Sequence, residues 1–200
     1  MTRLGVLLSG RGSNFLAIAE AINNGSLRGC EIVLVLSNKA DAPGIDAARQ
    51  LGLEAHAIPS KGIPRQEHDR QMIAALQEAR VDLICLAGYM RIISPEFIAA
   101  FPNRILNIHP SLLPAFPGLD AQGQALEYGA KVAGCTVHFV DEQVDHGTII
   151  VQRTVQVLDN DTHDSLAARI LEQEHQAYTE GLQRVLSGEY RIEGRRYIRK

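Results

Sequence analysis

Apolar runs of strand length alternate with helical periodicities over the first half of the chain, a pattern typical of βαβ units with a largely parallel sheet. Each predicted strand is a short run rich in Val, Ile and Leu or bounded by turn residues. The predicted strands are 4–8, 31–36, 54–57, 81–87 and 104–108. The predicted helices are 14–22, 43–51, 64–79 and a short one that begins at Ser94.

The pattern changes after a loop rich in Pro and Gly at 110–118. A helix at 122–128 leads to two β-rich runs, 134–140 and 148–157, which are typical of antiparallel strands. A long helix at 162–186 follows, and Gly188 ends it. The sequence therefore predicts a single-domain α/β fold. We expect an open, mostly parallel, Rossmann-like sheet, with antiparallel strands in the C-terminal half and a long C-terminal helix.

Composition narrows the class of protein. The chain has 200 residues, of which 46% are hydrophobic and 22% charged, and its formal net charge is −3. No global field favours nucleic acid or a membrane surface, and we interpret the basic tail at 191–200 as a solvated terminus. The apolar N-terminal run is too short for a signal peptide or a membrane span. Three scattered cysteines argue against a disulfide framework. We predict a cytoplasmic protein.

The strongest candidate chemistry lies at the end of the 104–108 strand. Asn107 and His109 are two apart, so on a strand their side chains share one face. Pro110 cannot donate to a sheet ladder and should end the strand. An amide can hold an oxyanion, and an imidazole can pass a proton near neutral pH. Taken alone, such a pair is more often two polar groups satisfied inside a loop.

Further polar signals follow other predicted strands, and in open α/β sheets ligands bind beyond the carboxyl ends of the strands. The loop at 9–14 places Gly12, Ser13 and Asn14 at a helix N-terminus, which favours an anion. No Gly-Lys-Ser/Thr follows, and Phe15 stands where a dinucleotide fingerprint needs its third glycine. We expect a single phosphate. A plain glycine turn with a Ser or Asn cap remains the alternative.

The C-terminal half offers a carboxylate, Asp145, which could face His109 and hold the imidazole or a water. A metal is the alternative, since Cys135, His138, Asp145 and His146 are close in sequence. Cys135 and His138 are three apart on a strand and so point to opposite faces, which argues against a metal. On the long helix, Glu174 falls on the apolar stripe, where it is either solvated at the stripe's edge or able to reach a ligand hydroxyl.

These residues resemble the phosphoribosylglycinamide formyltransferase family, the folate-dependent enzymes of purine biosynthesis. The motifs that carry the resemblance are Gly12-Ser13-Asn14, Gly88-Tyr89-Met90-Arg91-Ile92, Asn107-Ile108-His109-Pro110-Ser111-Leu112-Leu113-Pro114 with Pro117-Gly118, and Val137-His138-Phe139-Val140 leading to Asp145-His146-Gly147. The similarity continues in order to the helix holding Gln173-Glu174-His175, so it covers nearly the whole chain.

The resemblance implies direct transfer of a formyl group from 10-formyltetrahydrofolate, as co-substrate, to the glycinamide amine, without a covalent enzyme intermediate or a metal. Asn107 would bind the formyl oxygen, His109 would be the general acid, and Asp145 would hold a water, orient His109 and raise its proton affinity. The residues implied for the phosphoribosylglycinamide substrate are Gly12, Ser13, Asn14, Gln173 and Glu174. Those implied for the folate are Arg65, Met90, Arg91, Ile92, Ile93, Asn107, Val140, Asp141 and Val144.

The same resemblance implies one formyltransferase domain over 1–200, with a phosphate-binding half at 1–100 and a catalytic and folate-binding half at 101–200. It also implies a cis peptide bond at Leu113-Pro114. The partners are the two small-molecule substrates, with no nucleic acid or membrane, and a homodimer is compatible with these observations.

Two other enzymes share the catalytic motif. Methionyl-tRNA formyltransferase has a larger chain with a second, RNA-binding domain. The length and the acidic net charge of this sequence do not favour that enzyme. Formyltetrahydrofolate hydrolase resembles this chain preceded by a regulatory domain, and its first loop lacks the Gly-Ser-Asn motif. The alternative from another class is a phosphosugar-binding module, which would need no proton donor.

Overall fold

The computed structural model describes all 200 residues and divides into two compact units, 1–107 and 108–200. The division falls inside one strand, β5 (Ile105–His109). None of the helices combines the length and the apolar character needed to cross a membrane.

The first unit is built from strands that alternate with helices. Its elements are β1 (Thr2–Leu8), α1 (Ser13–Asn23), β2 (Cys30–Ser37), α2 (Pro43–Gln50), β3 (Ala55–Ala57), α3 (Arg65–Glu78), β4 (Leu83–Leu86), α4 (Pro95–Ala100) and the start of β5. The strands pair in parallel in the order β3-β2-β1-β4-β5. Their carboxyl ends therefore share one edge, as the alternating pattern predicted.

The central strands β1 and β4 are mostly apolar, as is usual for strands of a parallel sheet that are buried on both faces. All of β4 is buried, and β1 is buried from Leu4 onwards. The short helix α4 begins as predicted: the Ser94 hydroxyl accepts a hydrogen bond from the Phe97 N–H, and Pro95 occupies the first turn.

The second unit contains the remaining elements. These are α5 (Ala121–Tyr128), β6 (Val132–Phe139), β7 (Ile149–Gln156), α6 (His163–Ser187), β8 (Tyr190–Glu193) and β9 (Arg196–Arg199). β6 and β7 are antiparallel, β7 pairs in parallel with β9, and β8 and β9 are antiparallel. The predicted antiparallel strands and long C-terminal helix are thus confirmed, with ends that differ by one or two residues.

The long helix α6 packs its apolar stripe on β6 and β7. A capping box of Thr162 and Ser165 begins it, and Gly188, in the left-handed conformation with φ of 65°, ends it as predicted. Gly181 lets the helix approach the strand closely, because a Cβ there would lie 2.8 Å from Val137 Cγ1. Glu174 lies on the stripe and is only 7% exposed, so it is not solvated at the stripe's edge.

The basic tail is not an unstructured terminus. Residues 190–199 form the β8–β9 hairpin, whose turn contains Gly194 with φ of 60°. The rings of Tyr190 and Tyr197 are stacked with centroids 5.0 Å apart. The tail is still largely exposed to solvent, but the paired tyrosines give it a fixed structure.

Candidate active site

His109 is the last residue of β5 and is 5% exposed. The strand ends there because Pro110 follows, as predicted. The ring is fixed by two neighbours: Nε2 is 2.9 Å from the carbonyl oxygen of Phe116, and Nδ1 is 3.3 Å from Oδ2 of Asp145. A carbonyl oxygen only accepts, so Nε2 carries a hydrogen. The imidazole is therefore held on both sides, with a carboxylate facing Nδ1.

Asp145 is the carboxylate that the sequence analysis selected for this position. Its Oδ2 atom also accepts a hydrogen bond from the Gly118 N–H at 2.8 Å. Its backbone has φ of 51°, in the left-handed region that non-glycine residues seldom adopt. Such a conformation persists only where the surroundings hold it, and it is common at functional sites.

A second histidine, His138, faces the same carboxylate. Its Nε2 is 3.8 Å from Oδ1 of Asp145, and its Nδ1 is 2.7 Å from the Phe139 carbonyl oxygen. His138 is 1% exposed, and burial lowers the pKa of its imidazole despite the opposing effects of the Phe139 hydrogen bond and the Asp145 charge. Asp145 thus lies between two imidazoles, one at the end of β5 and one on β6.

From the sequence, His138 is a candidate only as a metal ligand, and its position beside Asp145 is found in the structure. The sequence does single out His138 as part of the Val137-His138-Phe139-Val140 motif, but that motif does not indicate which residue His138 contacts. The register of β6 against β7 shifts between Val137 and His138, and simple alternation along a strand does not anticipate such a shift. No cluster of His, Cys, Asp and Glu side chains suited to a metal ion is present.

Thr136 holds the loop at 110–118, which carries Phe116, the carbonyl partner of His109. Its hydroxyl donates to the Ser111 carbonyl oxygen at 2.7 Å and accepts from the Leu113 N–H at 3.1 Å. Gln152 Nε2 donates to the Leu113 carbonyl oxygen at 2.8 Å and to the same hydroxyl at 3.0 Å. The Leu113-Pro114 bond is cis, as expected. Thr136 and Gln152 are not predicted from the sequence, because neither belongs to the motifs that carry the resemblance.

The loop at 140–147, which carries Asp145, lies tightly against the end of β6. A Cβ at Gly147 would stand 1.8 Å from the Phe139 carbonyl oxygen, so only glycine fits without a shift of the backbone. Within this loop, Asp141 Oδ2 is 2.7 Å from Nδ1 of His146. Val144, one of the residues implied for folate, is 53% exposed.

The first unit contributes the residues that the resemblance implies for phosphate. Gly12 occupies the N-cap of α1 with φ of 75°, and no side chain caps the helix. The alternative of a Ser or Asn cap is therefore wrong. The first turn of α1 presents backbone N–H groups and the positive end of the helix dipole, which favour an anion. Asn14 is buried, and Ser13 is half-buried.

Hydrogen bonds connect the loops at the carboxyl ends of β1, β2 and β4. The Ser9 hydroxyl donates to Asn38 Oδ1 at 2.5 Å and accepts from the Met90 N–H at 2.7 Å. Asn38 Nδ2 donates to the Ser60 hydroxyl at 3.1 Å. Sequence reasoning missed Asn38 and Ser60, since a polar residue directly after a strand is common in any loop.

The residues implied for folate in the first unit have different environments. Met90 and Ile92 are 69% and 59% exposed, whereas Ile93 is buried. Arg91 is held in place by hydrogen bonds from its guanidinium to the carbonyl oxygens of Ser60 and Ile63. Arg65, at the first position of α3, is exposed.

The remaining predicted residues lie on β5 and α6. Asn107 is half-buried and lies opposite Leu86 in the β4–β5 register. On α6, Gln173 is half-buried and Glu174 is buried. Burial and, secondarily, the Glu174 charge raise the pKa of the Cys135 thiol to about 12.

The sequence profile of the formyl transferase family matches residues 2–182. The chain belongs to this family. The phosphoribosylglycinamide formyltransferase of Escherichia coli (strain K12) is 43% identical over 174 residues, which cover 86% of this chain and 82% of that relative. The resemblance to phosphoribosylglycinamide formyltransferases that the motifs indicated is therefore confirmed.

The solved structures include formyl transferases with the same fold. Glycinamide ribonucleotide transformylase 1 from Symbiobacterium toebii matches with a TM-score of 0.96 and 49% identity, over 100% of this chain and 94% of that chain. This confirms the predicted fold class. The chain spans only 14% of the length of a longer relative, the trifunctional purine biosynthetic protein adenosine-3 of Drosophila melanogaster, which is 47% identical over 189 residues.

Proposed function

We propose that this formyl transferase moves the formyl group of 10-formyltetrahydrofolate to the amine of 5-phosphoribosylglycinamide, a step of de novo purine (IMP) biosynthesis. The proposal is supported by the E. coli relative, which is named phosphoribosylglycinamide formyltransferase and aligns with most of this chain. The observation that carries it is the His109–Asp145 pair, in which Nδ1 and Oδ2 are 3.3 Å apart. A module that only binds a phosphosugar would need no such pair.

The proposed reaction is a direct attack. The amine nitrogen forms a bond to the formyl carbon, the carbonyl oxygen becomes an oxyanion, and the bond from that carbon to the folate nitrogen then breaks. The folate nitrogen leaves with a proton and the amine loses one, so the protons balance. Asn107 donates a hydrogen bond to the oxyanion, and His109 is the general acid. Asp145 orients the ring of His109 and a water that accepts the amine's proton.

Binding of the phosphosugar is assigned to two parts of the chain. Gly12, Ser13 and Asn14 would bind the phosphate, since the uncapped first turn of α1 offers backbone N–H donors. Gln173 and Glu174 on α6 would approach the ribose and glycinamide groups. A carboxylate that is only 7% exposed can accept hydrogen bonds from ligand hydroxyls without strong competition from water.

Folate binding is assigned to exposed apolar side chains and nearby polar groups. Met90 and Ile92 in the first unit and Val144 in the second are each more than half exposed, and such side chains suit the faces of a pteridine ring. The other residues in this assignment are Arg65, Arg91, Ile93, Asn107, Val140 and Asp141. Three buried free thiols, Cys30, Cys85 and Cys135, suit the reducing cytoplasm in which we propose the enzyme works.

The proposed function is tested by following tetrahydrofolate release from 10-formyltetrahydrofolate, with and without phosphoribosylglycinamide, after chelator treatment. We expect release that requires the amine and survives the chelator. Equal release without the amine would instead indicate a hydrolase. No release under either condition would favour the binding module.

A further inference from the structure

The C-terminal hairpin packs where the loop carrying Asp145 leaves β6. The ring of Tyr197 on β9 meets Phe139, the last residue of β6, edge to face with centroids 5.7 Å apart. Tyr197 also stacks on Tyr190, whose ring lies 5.9 Å from the guanidinium carbon of Arg184 on α6. Aromatic and cation–π contacts of this kind fix the hairpin against the strand and the helix.

Arg195, in the turn of this hairpin, reaches the loop itself. One guanidinium nitrogen lies 2.7 Å from Nε2 of His146, and the other donates to the His146 carbonyl oxygen. The first of these nitrogens also lies 3.2 Å from Nδ1, which is itself 2.7 Å from Asp141 Oδ2. A guanidinium only donates and a carboxylate only accepts, so the His146 ring is held between a cation and an anion.

The contact bears on Asp145 because His146 is the next residue. The Asp145 backbone is in the left-handed region, and Gly147 lies against the Phe139 carbonyl, so the peptide units around Asp145 have little freedom. A shift of the His146 peptide would change the 3.3 Å separation of Asp145 and His109. The family profile ends at residue 182, so the hairpin lies outside the matched residues.

We propose that Arg195 is a positioning residue. By holding the His146 ring and carbonyl, it fixes the loop at 140–147 and keeps the Asp145 carboxylate next to the His109 ring. This role rests on the proposed function, because it acts through the catalytic pair. Two donors on one rigid guanidinium hold a ring nitrogen and a carbonyl at once, which a single ammonium cannot do with the same geometry.

The test compares Arg195→Ala with Arg196→Ala, a neighbour on the same hairpin whose side chain is 75% exposed and contacts Glu193 at 3.5 Å. Ring-nitrogen NMR of His146 and His109 is recorded near neutral pH, together with steady-state kinetics. In Arg195→Ala we expect the ring-nitrogen signals of both His146 and His109 to shift. We expect kcat to fall about tenfold, the effect of a small misplacement near the reacting groups.

In the same variant, KM for the amine substrate should stay within about twofold of the unmodified chain, since the loss falls on the chemical step. Arg196→Ala should match the unmodified chain in spectrum and kinetics, and Arg195→Lys should recover part of kcat. The proposal is wrong if Arg195→Ala matches Arg196→Ala in the His109 signals or in kcat. It is also wrong if the fall in activity only tracks a lower melting temperature.

The two readouts separate this proposal from the function on which it rests. If the unmodified chain transfers no formyl group, the proposed function fails. The His109 and His146 spectra still test the contact in that case, because they need no turnover: shifted His109 signals in Arg195→Ala alone support the positioning role, and unchanged signals overturn it.

Discussion

Asp145 Oδ2 lies 3.3 Å from His109 Nδ1. The residues reach each other from two separate segments, the end of β5 and the loop between β6 and β7. Both side chains are almost fully buried, with exposures of 6% for His109 and 10% for Asp145. In such surroundings a carboxylate acts on an imidazole more strongly than it would in water.

Asp145→Asn keeps the shape of the side chain and removes its charge. We expect kcat to fall about a hundredfold, because the group that orients His109 no longer carries a negative charge. The melting temperature should change little, since an amide oxygen can still accept from the Gly118 N–H. Steady-state kinetics and thermal unfolding measure the two effects. Asp159→Asn, at a side chain that is 95% exposed, is the control. A kcat within threefold of the unmodified chain would contradict the assigned role.

Thr136→Val tests the support of the 110–118 loop. Valine has nearly the same shape but leaves the Ser111 carbonyl and the Leu113 N–H without their hydroxyl partner. We expect the free energy of unfolding to fall by about 3 kcal/mol, the cost of unsatisfied buried polar groups. Thr154→Val, at an exposed position on β7, should change it by less than about 0.5 kcal/mol. Urea unfolding compares them, and equal effects would show that the hydroxyl does not hold the loop.

The buried imidazole of His138 should make stability depend on pH. Burial lowers its pKa in the folded protein, whereas in the unfolded chain the value is about 6.5. As pH falls below about 6.5, the unfolded chain therefore takes up a proton that the folded chain does not, and the free energy of unfolding decreases. The loss of stability ends once the pH is below the pKa of His138 in the folded protein.

His138→Gln isolates this effect in urea unfolding measured over a series of pH values. The variant should lose stability less steeply below about pH 6.5 than the unmodified chain does. His175, whose pKa burial also lowers, and His163, whose pKa Asp120 raises, remain in both proteins, so neither accounts for a difference in slope. Equal slopes would contradict the account.

The sequence predicted most elements because their local signals agree with their packing. Gly188 ends α6 in the left-handed conformation that glycine favours, and Pro110 stops β5 directly after His109. The β8–β9 hairpin was missed because its strands are short and arginine-rich, and such composition is also typical of a solvated tail. Among the contacts that hold the hairpin is the aromatic contact to Phe139, which is distant in sequence.

The contact of His109 with Asp145 was predictable from the sequence, but the network of hydrogen bonds around it was not. Asn107 and His109 are conspicuous because polar residues interrupt an apolar run. His138, Thr136 and Asn38 became visible only through tertiary contacts, which leave no periodicity in the sequence. The assignment of individual residues to phosphate, ribose and folate stays a prediction.

The central claim, that His109 supplies the proton for formyl transfer and is not needed for binding, is tested most directly in His109→Ala. The dissociation constant of phosphoribosylglycinamide is measured by calorimetry, and turnover is measured on the same preparation. We predict a dissociation constant within about threefold of the unmodified chain and a loss of turnover of at least about a hundredfold. A large loss of both binding and turnover would contradict the account and make His109 a structural residue.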